Sequence, residues 1–301
     1  CREGDRVKTR RELVIASGAG FCLLAAPLAV FAQQKGKIWR IGFLGVASAS
    51  GSARRVDALR AGLRDLGYVE GKNLVIEFRW AEGNYERLPQ LAAELVRLKV
   101  DVIVTYGSPE ILAAKSATTT IPIVMATSGD VIALSLIASL ARPGGNVTGM
   151  TGFGPEGAAK RLELLKDAFP RTRQVAVLLN PDNPTAVRVV FPTMEAAAKS
   201  LKLELQQFPV RGPGEFDSAF AVMAKRRVDA VVTTDDAMLV ANFGTIAKLA
   251  AKMRLPSIGL TEFAEAGGLI AYGVNRLESF RRTAYFVDRI LKGAKPGDLP
   301  V

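Results

Sequence analysis

Histidine is absent from all 301 residues, and the only two cysteines, Cys1 and Cys22, fall within the first 32 residues. From residue 33 onward, the chain therefore cannot form a Ser-His-Asp triad, a cysteine nucleophile, a histidine-ligated zinc site or a disulfide. Sites built from carboxylates and chemistry at lysine remain open.

Acidic side chains are outnumbered, since 40 Lys and Arg residues against 29 Asp and Glu give a net charge of +11. The basic residues are spread over many amphipathic segments and are not interleaved with aromatic residues. This distribution favours a solvated basic surface, and we expect no nucleic-acid partner. Hydrophobic residues make up 49% of the chain, which is ample for one large α/β domain or for two lobes.

The first 32 residues have the features of an export signal. Arg10 and Arg11 precede a stretch from Leu13 to Ala32 that contains no charged residue, and small side chains lie near its end. This arrangement resembles a twin-arginine signal peptide, so we expect a periplasmic protein whose leader, residues 1–32, is cleaved. The alternative is an uncleaved membrane anchor, because about 20 apolar residues can span a bilayer.

Beyond the leader, short apolar runs alternate with segments of helical periodicity. The pattern predicts helices that include residues 53–66, 88–98 and 109–118. It predicts strands at residues 39–45, 74–80, 100–105, 121–126, 147–151, 175–180, 203–208, 228–233, 257–260 and 269–272. Strands that alternate with helices indicate parallel sheets covered on both faces. The number of units exceeds what one small sheet usually holds, which predicts two lobes.

Small and polar residues follow several of these strands. In open parallel sheets, ligands bind at the carboxyl ends of the strands, where helix N-termini present free N–H groups. Ser108 is predicted to cap a helix whose first residue is Pro109, and such a helix start could hold a carboxylate. Asp130 or Asp235 could hold an ammonium group, although such residues are often plain helix caps. The candidate contacts from these loops are Ser48, Gly107, Ser108, Ser128, Asp130, Asn180 and Asp235.

A glycine motif at residues 152–157, GFGPEG, indicates a different function. It matches G-x-G-x-x-G, follows a strand and precedes a helix, which is typical of a dinucleotide-binding oxidoreductase. Pro155, however, lacks an N–H that could face a phosphate. The other interpretation is a flexible connection between two lobes, with Phe153 lining the cleft. Asp235 and Asp236 could similarly be a general acid/base pair, but caps and ligand contacts are the preferred interpretation.

Several segments resemble the ABC-transporter substrate-binding proteins of the tryptophan/tyrosine-binding type. The segments are GLRDLGYVEG (62–71), IPIV (121–124) followed by Asp130, SLARPGGNVTG (139–149), KRLELL (160–165), VAVLLNPDNP (175–184) and LKGAKPGDLP (291–300). The resemblance implies the type I periplasmic-binding-protein fold, with two Rossmann-like α/β lobes joined by crossing segments. It implies a first lobe of residues 38–150 plus about 270–301 and a second lobe of residues 151–269.

The resemblance also implies site positions. Ser108, Ser128 and Asp130 match contact loops of the first lobe, while Asn180, Asp235 and Tyr272 match cleft-facing positions of the second lobe and its return. Relatives often have Asp-Pro where this chain has Asp130-Val131, and the nearby aromatic candidates are limited to Tyr106, Phe153 and Tyr272. The ligand therefore need not be an aromatic amino acid. Relatives also continue for a few dozen residues past the position of Val301, so we expect a chain that lacks a last strand and helix.

The predicted function is ligand capture without chemistry. We expect a monomer that binds a small carboxylate-bearing solute, an amino acid or a related molecule, and delivers it to an ABC permease in the inner membrane. We expect no cofactor, no metal site and no enzyme activity. Two alternatives remain open: a ligand-sensing subunit of a membrane receptor, and an exported nucleotide-dependent oxidoreductase that uses the glycine loop at 152–157.

Overall fold

The computed structural model describes residues 37–129, 131–132, 134–152 and 154–301. The predicted signal peptide and two predicted contact residues, Asp130 and Phe153, lie outside the described residues. None of the helices in the described ranges is both long enough and apolar enough to cross a membrane.

The first sheet is built from the N-terminal part of the described chain. Its elements are β1 (Trp39–Gly45), α1 (Ala49–Asp65), β2 (Leu74–Trp80), α2 (Leu88–Arg97), β3 (Val102–Thr105), α3 (Ser108–Ala117), β4 (Ile123–Met125) and β5 (Val147–Gly149). The strands are parallel and lie in the order β2-β1-β3-β4-β5. Along β1, Ile41 and Phe43 enter one apolar cluster, and Leu44 enters the cluster on the opposite face. Since both faces are buried, helices pack on both sides.

The second sheet repeats this arrangement. Its elements, with the helix that follows them, are α4 (Gly154–Ala168), β6 (Gln174–Leu179), α5 (Phe191–Ser200), β7 (Glu204–Pro209), α6 (Phe216–Arg226), β8 (Ala230–Thr233), α7 (Ala237–Ala241), α8 (Phe243–Lys252), β9 (Ser257–Gly259), α9 (Thr261–Glu265), β10 (Ile270–Ala271) and α10 (Arg276–Leu291). The parallel strand order is β7-β6-β8-β9-β10. After β10 the chain returns to the first sheet, where α10 packs against α1.

The predicted alternation of strands and helices is confirmed, and two details of the helix starts differ. Helix α1 begins at Ala49 because the Ser48 hydroxyl accepts a hydrogen bond from the Gly51 N–H and caps it. The prediction that Ser108 caps α3 is wrong. The N-cap is Gly107, whose φ of +79° suits glycine, and Ser108 is the first helical residue. The Ser108 hydroxyl is thereby available for contacts outside the helix.

Close packing of α1 on α10 depends on Gly62. A Cβ at this position would lie 2.2 Å from the Arg281 carbonyl oxygen and 2.9 Å from the Ala284 Cβ. We expect Gly62→Ala to lower the free energy of unfolding by about 1–3 kcal/mol, because a backbone carbonyl cannot move away cheaply. Urea denaturation measures this change. Gly244→Ala in α8, where a Cβ would meet nothing within 4 Å, is the matched control. A loss of stability no larger than that of the control would contradict this account of the packing.

Candidate functional site

A cavity lies where the carboxyl ends of the strands of both sheets meet. Its walls include residues 106–110 after β3, residues 127–129 after β4 and residues 235–237 after β8. Both sheets have the 2-1-3-4-5 type of strand order, in which ligands bind at the point where the order reverses. Residues that follow β3 and β8 flank these two reversal points. The cavity measures about 100 Å³, and a single water needs roughly 10–15 Å³ of such space, so a small metabolite fits.

The wall contributed by the first sheet combines a helix N-terminus with two hydroxyl groups. The hydroxyl oxygens of Ser108 and Ser128 lie 3.4 Å apart, and both residues are buried. Gly107 permits the carboxylate of Glu110 to approach, because a Cβ there would lie 2.6 Å from the Glu110 Oε2. The first-turn N–H groups of α3 have no acceptor inside the helix. This wall therefore offers hydrogen-bond donors and an acid side by side.

The opposite wall contains a cluster of charged side chains, in which Arg161 and Arg276 pair with Asp235 and Glu262. Arg161 on α4 donates from Nη2 to Asp235 Oδ1 at 2.7 Å and from Nη1 to the Tyr272 carbonyl at 3.1 Å. Arg276 lies 3.9 Å from Asp235 Oδ2, and its Nε lies 3.7 Å from Glu262. Arg161 is only 1% exposed, and its Nε has no hydrogen-bond partner among the described residues. A buried guanidinium N–H without a partner is costly, so this wall is suited to an acceptor group in the cavity.

Two further acidic residues, Glu110 and Asp236, line the cavity, and each is 2% exposed. Burial, with a smaller contribution from the nearby charge of Asp236, raises the pKa of Glu110 to about 8, although the backbone N–H groups of Glu110 and Val46 and the charge of Arg55 act in the opposite direction. Asp236 caps α7 by accepting hydrogen bonds from the N–H groups of Met238 and Leu239.

The predicted contact residues divide into three groups. Gly107, Ser108, Ser128 and Asp235 line the cavity. Ser48, Asn180 and Tyr272 are not among the residues that line it: Ser48 caps α1, the Asn180 side chain accepts from the Asp182 N–H, and Tyr272 presents its carbonyl to Arg161. Asp130 and Phe153 lie outside the described residues. Asp235 was expected to hold an ammonium group, but it is already paired with two arginines.

The candidate contacts from the sequence left out the cavity residues Tyr85, Glu110, Arg161 and Arg276, and Asp236 was considered only together with Asp235. Arg161 lies inside KRLELL, a segment that carried the family resemblance, and Asp236 adjoins Asp235. These two positions are the signals in the sequence that could have pointed to the site. The signal at Arg161 does not show which residue it contacts, because an arginine on an amphipathic helix usually faces solvent.

The glycine motif at 152–157 is not a dinucleotide fingerprint. In such a fingerprint, the glycines join a strand and a helix of one βαβ unit. Here β5 belongs to the first sheet, whereas α4, which begins at Gly154, packs against α5 and β9 of the second. The motif is a connection between the sheets, and Gly152, Gly154 and Gly157 line the cavity. Within the described ranges, no group of three or more metal-ligating side chains could hold a metal ion.

Comparison with known proteins agrees with this geometry. Residues 40–301 match the family model described as ABC transporter substrate binding protein. The chain belongs to this family. Members of this substrate-binding family are components of ABC import systems, so the interpretations as an oxidoreductase or a receptor subunit are not favoured.

Individual relatives share the fold over most of the chain. A tyrosine-binding protein of Clostridioides difficile is 26% identical over 240 residues, which cover 79% of this chain and 68% of the relative. A conserved domain protein from Vibrio cholerae superposes with a TM-score of 0.79 at 27% identity, over 88% of both chains. An ABC domain from Streptococcus pneumonia in complex with L-Trp superposes with a TM-score of 0.75 at 27% identity, over 87% of this chain and 88% of that chain. These relatives confirm the predicted type I periplasmic-binding fold for this substrate-binding chain.

Proposed function

We propose that this substrate-binding protein captures an amino acid or a related carboxylate-bearing solute in the cavity between two lobes. The observation that carries the proposal is the buried Arg161 Nε, which has no partner among the described residues and belongs to a residue of the cavity wall. Arg276 lies beside it, and Asp235 and Glu262 balance the charges of the two arginines. A carboxylate of the solute would accept from this unpartnered N–H.

The lobes proposed to close on the solute are residues 38–150 plus about 270–301, and residues 151–269. The two sheets support this division except at its last boundary: the strands of one lie within residues 39–149 and those of the other within 174–271, so β10 (Ile270–Ala271) belongs with the second sheet. Helix α10 supports the assignment of the C-terminal part to the first lobe, because it packs against α1. Closure favours the solute-bound state through contacts that both lobes make only when they are together.

Two relatives also support the proposed solute class, because one is named a tyrosine-binding protein and the other is described in complex with L-Trp. The cavity wall here combines Tyr85 and Tyr106 with several glycines, which suits a solute with an apolar or aromatic side chain. We propose that the protein is a monomer exported to the periplasm by the twin-arginine route. It hands its solute unchanged to an ABC permease.

A ligand screen by thermal shift tests this function. We expect at least one L-amino acid to raise the melting temperature, since a ligand at 100 times its Kd adds about 2.7 kcal/mol to the free energy of unfolding. The amine that lacks the carboxylate of that amino acid is the matched control and should give no shift. Mass spectrometry of the released solute should show it chemically unchanged. A shift by NAD or NADP, with none by any amino acid or organic acid, would contradict the proposal.

A further inference from the structure

A hydrogen bond connects the two halves of the cavity between Tyr85 and Asp236. Tyr85 lies in a single 3-10 turn, Tyr85–Arg87, that follows β2 of the first sheet, and Asp236 follows β8 of the second sheet. The Tyr85 hydroxyl donates to Asp236 Oδ2 at 2.5 Å. The two residues are 151 positions apart in the chain, and they are brought together by the approach of the sheets.

Asp236 is held in place by residues of the second-sheet half, the part of the chain that forms the second sheet. Three of its donors, the N–H groups of Met238 and Leu239 and the Asn183 side-chain amide, belong to the second-sheet half, at 2.9, 3.3 and 3.1 Å. The fourth donor is Tyr85, from the first-sheet half. When the halves separate, the carboxylate keeps three donors and loses one. Asp236 is therefore a fixed acceptor that Tyr85 reaches only in the closed arrangement.

The environment of this hydrogen bond makes it strong. Asp236 is 2% exposed, and burial, followed by the Asp236 charge, raises the pKa of Tyr85 above its usual value, so the hydroxyl keeps its proton. A hydrogen bond to a buried charge is worth more than one between neutral groups, because water competes little for the buried carboxylate. In the open arrangement both groups return to water, and this advantage disappears.

A second contact between the halves serves as a comparison. Arg54 of α1 and Glu265 of α9 form an ion pair of 3.0 Å at the rim, with side chains that are 71% and 51% exposed. Exposed pairs of this kind contribute little, because water screens them and both side chains lose freedom. The Tyr85–Asp236 hydrogen bond is largely buried and the Arg54–Glu265 ion pair is exposed, so the contributions of these two contacts can be compared.

We propose that Tyr85 is a positioning residue that stabilises the closed arrangement through Asp236 and sets the affinity for every solute by one common factor. The hydroxyl is used by Asp236, so it does not choose among solutes. This inference rests on the proposed function. A contact that exists only in the closed state lowers the apparent Kd by raising the population of that state, and it acts mainly on dissociation.

The affinity test compares Tyr85→Phe with Glu265→Gln in the full chain, using isothermal titration with L-tyrosine, L-tryptophan and the strongest amino acid of the screen. We expect Tyr85→Phe to raise Kd by about ten-fold or more for each solute that binds, with the ratios between solutes unchanged. Glu265→Gln should change Kd by less than about three-fold. Ratios that shift between solutes, or equal losses in both variants, would overturn the proposal. Melting curves of both variants establish that they are folded.

A distance measurement tests the same contact without any solute. Cysteines placed at the exposed positions Asp57 on α1 and Ala264 on α9 carry fluorophores, with Cys1 and Cys22 replaced by serine in the full chain. We expect a short-distance population that is several-fold smaller in Tyr85→Phe than in the parent and unchanged in Glu265→Gln. Identical distributions in the parent and Tyr85→Phe would overturn the proposal. Because this readout needs no ligand, it separates failure of the proposed contact from failure of the proposed function.

Discussion

Arg161→Met is expected to abolish solute binding, with a loss of affinity of more than about 100-fold. The substitution removes the N–H that we assign to the solute carboxylate and leaves Asp235 with the more distant Arg276 as its cation. Truncating one partner of a buried charge pair costs about 2–5 kcal/mol in binding, because the remaining charge stays in a dry site. Isothermal titration with the amino acid found in the screen measures the loss.

The same substitution should also destabilise the fold. Breaking a buried ion pair costs about 3–5 kcal/mol, and here we expect about 2–3 kcal/mol because Asp235 retains 32% exposure. The Tyr272 carbonyl also loses its hydrogen bond from Arg161. Urea denaturation in the absence of solute separates this loss from the loss of binding.

Two variants control for this interpretation. Lys160→Met changes the neighbouring residue, whose ion pair with Glu163 is exposed, and should leave affinity and stability unchanged. Arg161→Lys retains the positive charge but lacks the planar guanidinium and its several N–H donors. Compared with Arg161→Met, it should therefore recover part of the stability and very little of the affinity. Full affinity in Arg161→Met, or an equal loss in Lys160→Met, would contradict the assignment of the carboxylate site.

Stability should depend on pH through Glu110. The folded protein raises the pKa of this carboxyl from 4.5 to about 8. Between these two values, the folded state holds a proton that the unfolded state has lost. The free energy of unfolding should therefore fall as pH rises from about 4.5 to about 8. Below the window the contribution is fully present, and above it the contribution is lost.

Glu110→Gln isolates this effect, because glutamine has nearly the same shape and does not titrate. The difference in stability between the parent and this variant should change across pH 4.5–8, which urea denaturation at several pH values measures. The groups that face Glu110 are Asp236, Arg55, Tyr106 and Tyr85, and they are unchanged in both proteins. Glu86→Gln, at an exposed position before α2, is the matched control. A pH-independent difference between the parent and Glu110→Gln would refute the assignment.

Local patterns predicted the fold well, for identifiable reasons. The run WRIGFLG is a strand at the predicted residues 39–45, because its apolar part, IGFLG, has the β-branched and aromatic residues that suit a strand buried on both faces. The start of α3 was harder to place, since both Gly107 and Ser108 are good caps. The backbone of residue 107 decides between them, because its φ of +79° belongs to the left-handed region.

The candidate site was predicted only in outline. The loops after β3, β4 and β8 do reach the cavity, because the carboxyl ends of parallel strands lie at one edge of a sheet. The role of Asp235 was not predictable, since its partner Arg161 lies 74 residues earlier on a helix of the same half. An aspartate in a loop has the same sequence signature whether it binds a solute or an arginine.

The sequence alone determined the alternation of strands and helices, the absence of histidine and cysteine chemistry in the body of the chain, and the family. These properties depend on composition and on patterns within one segment. Only the tertiary structure decided which polar groups meet: Arg161 with Asp235, Tyr85 with Asp236, and Glu110 with the Val46 N–H. The physical reason is that each of these contacts joins distant segments. Their strength comes from the exclusion of water, which exists only after the chain has folded around them.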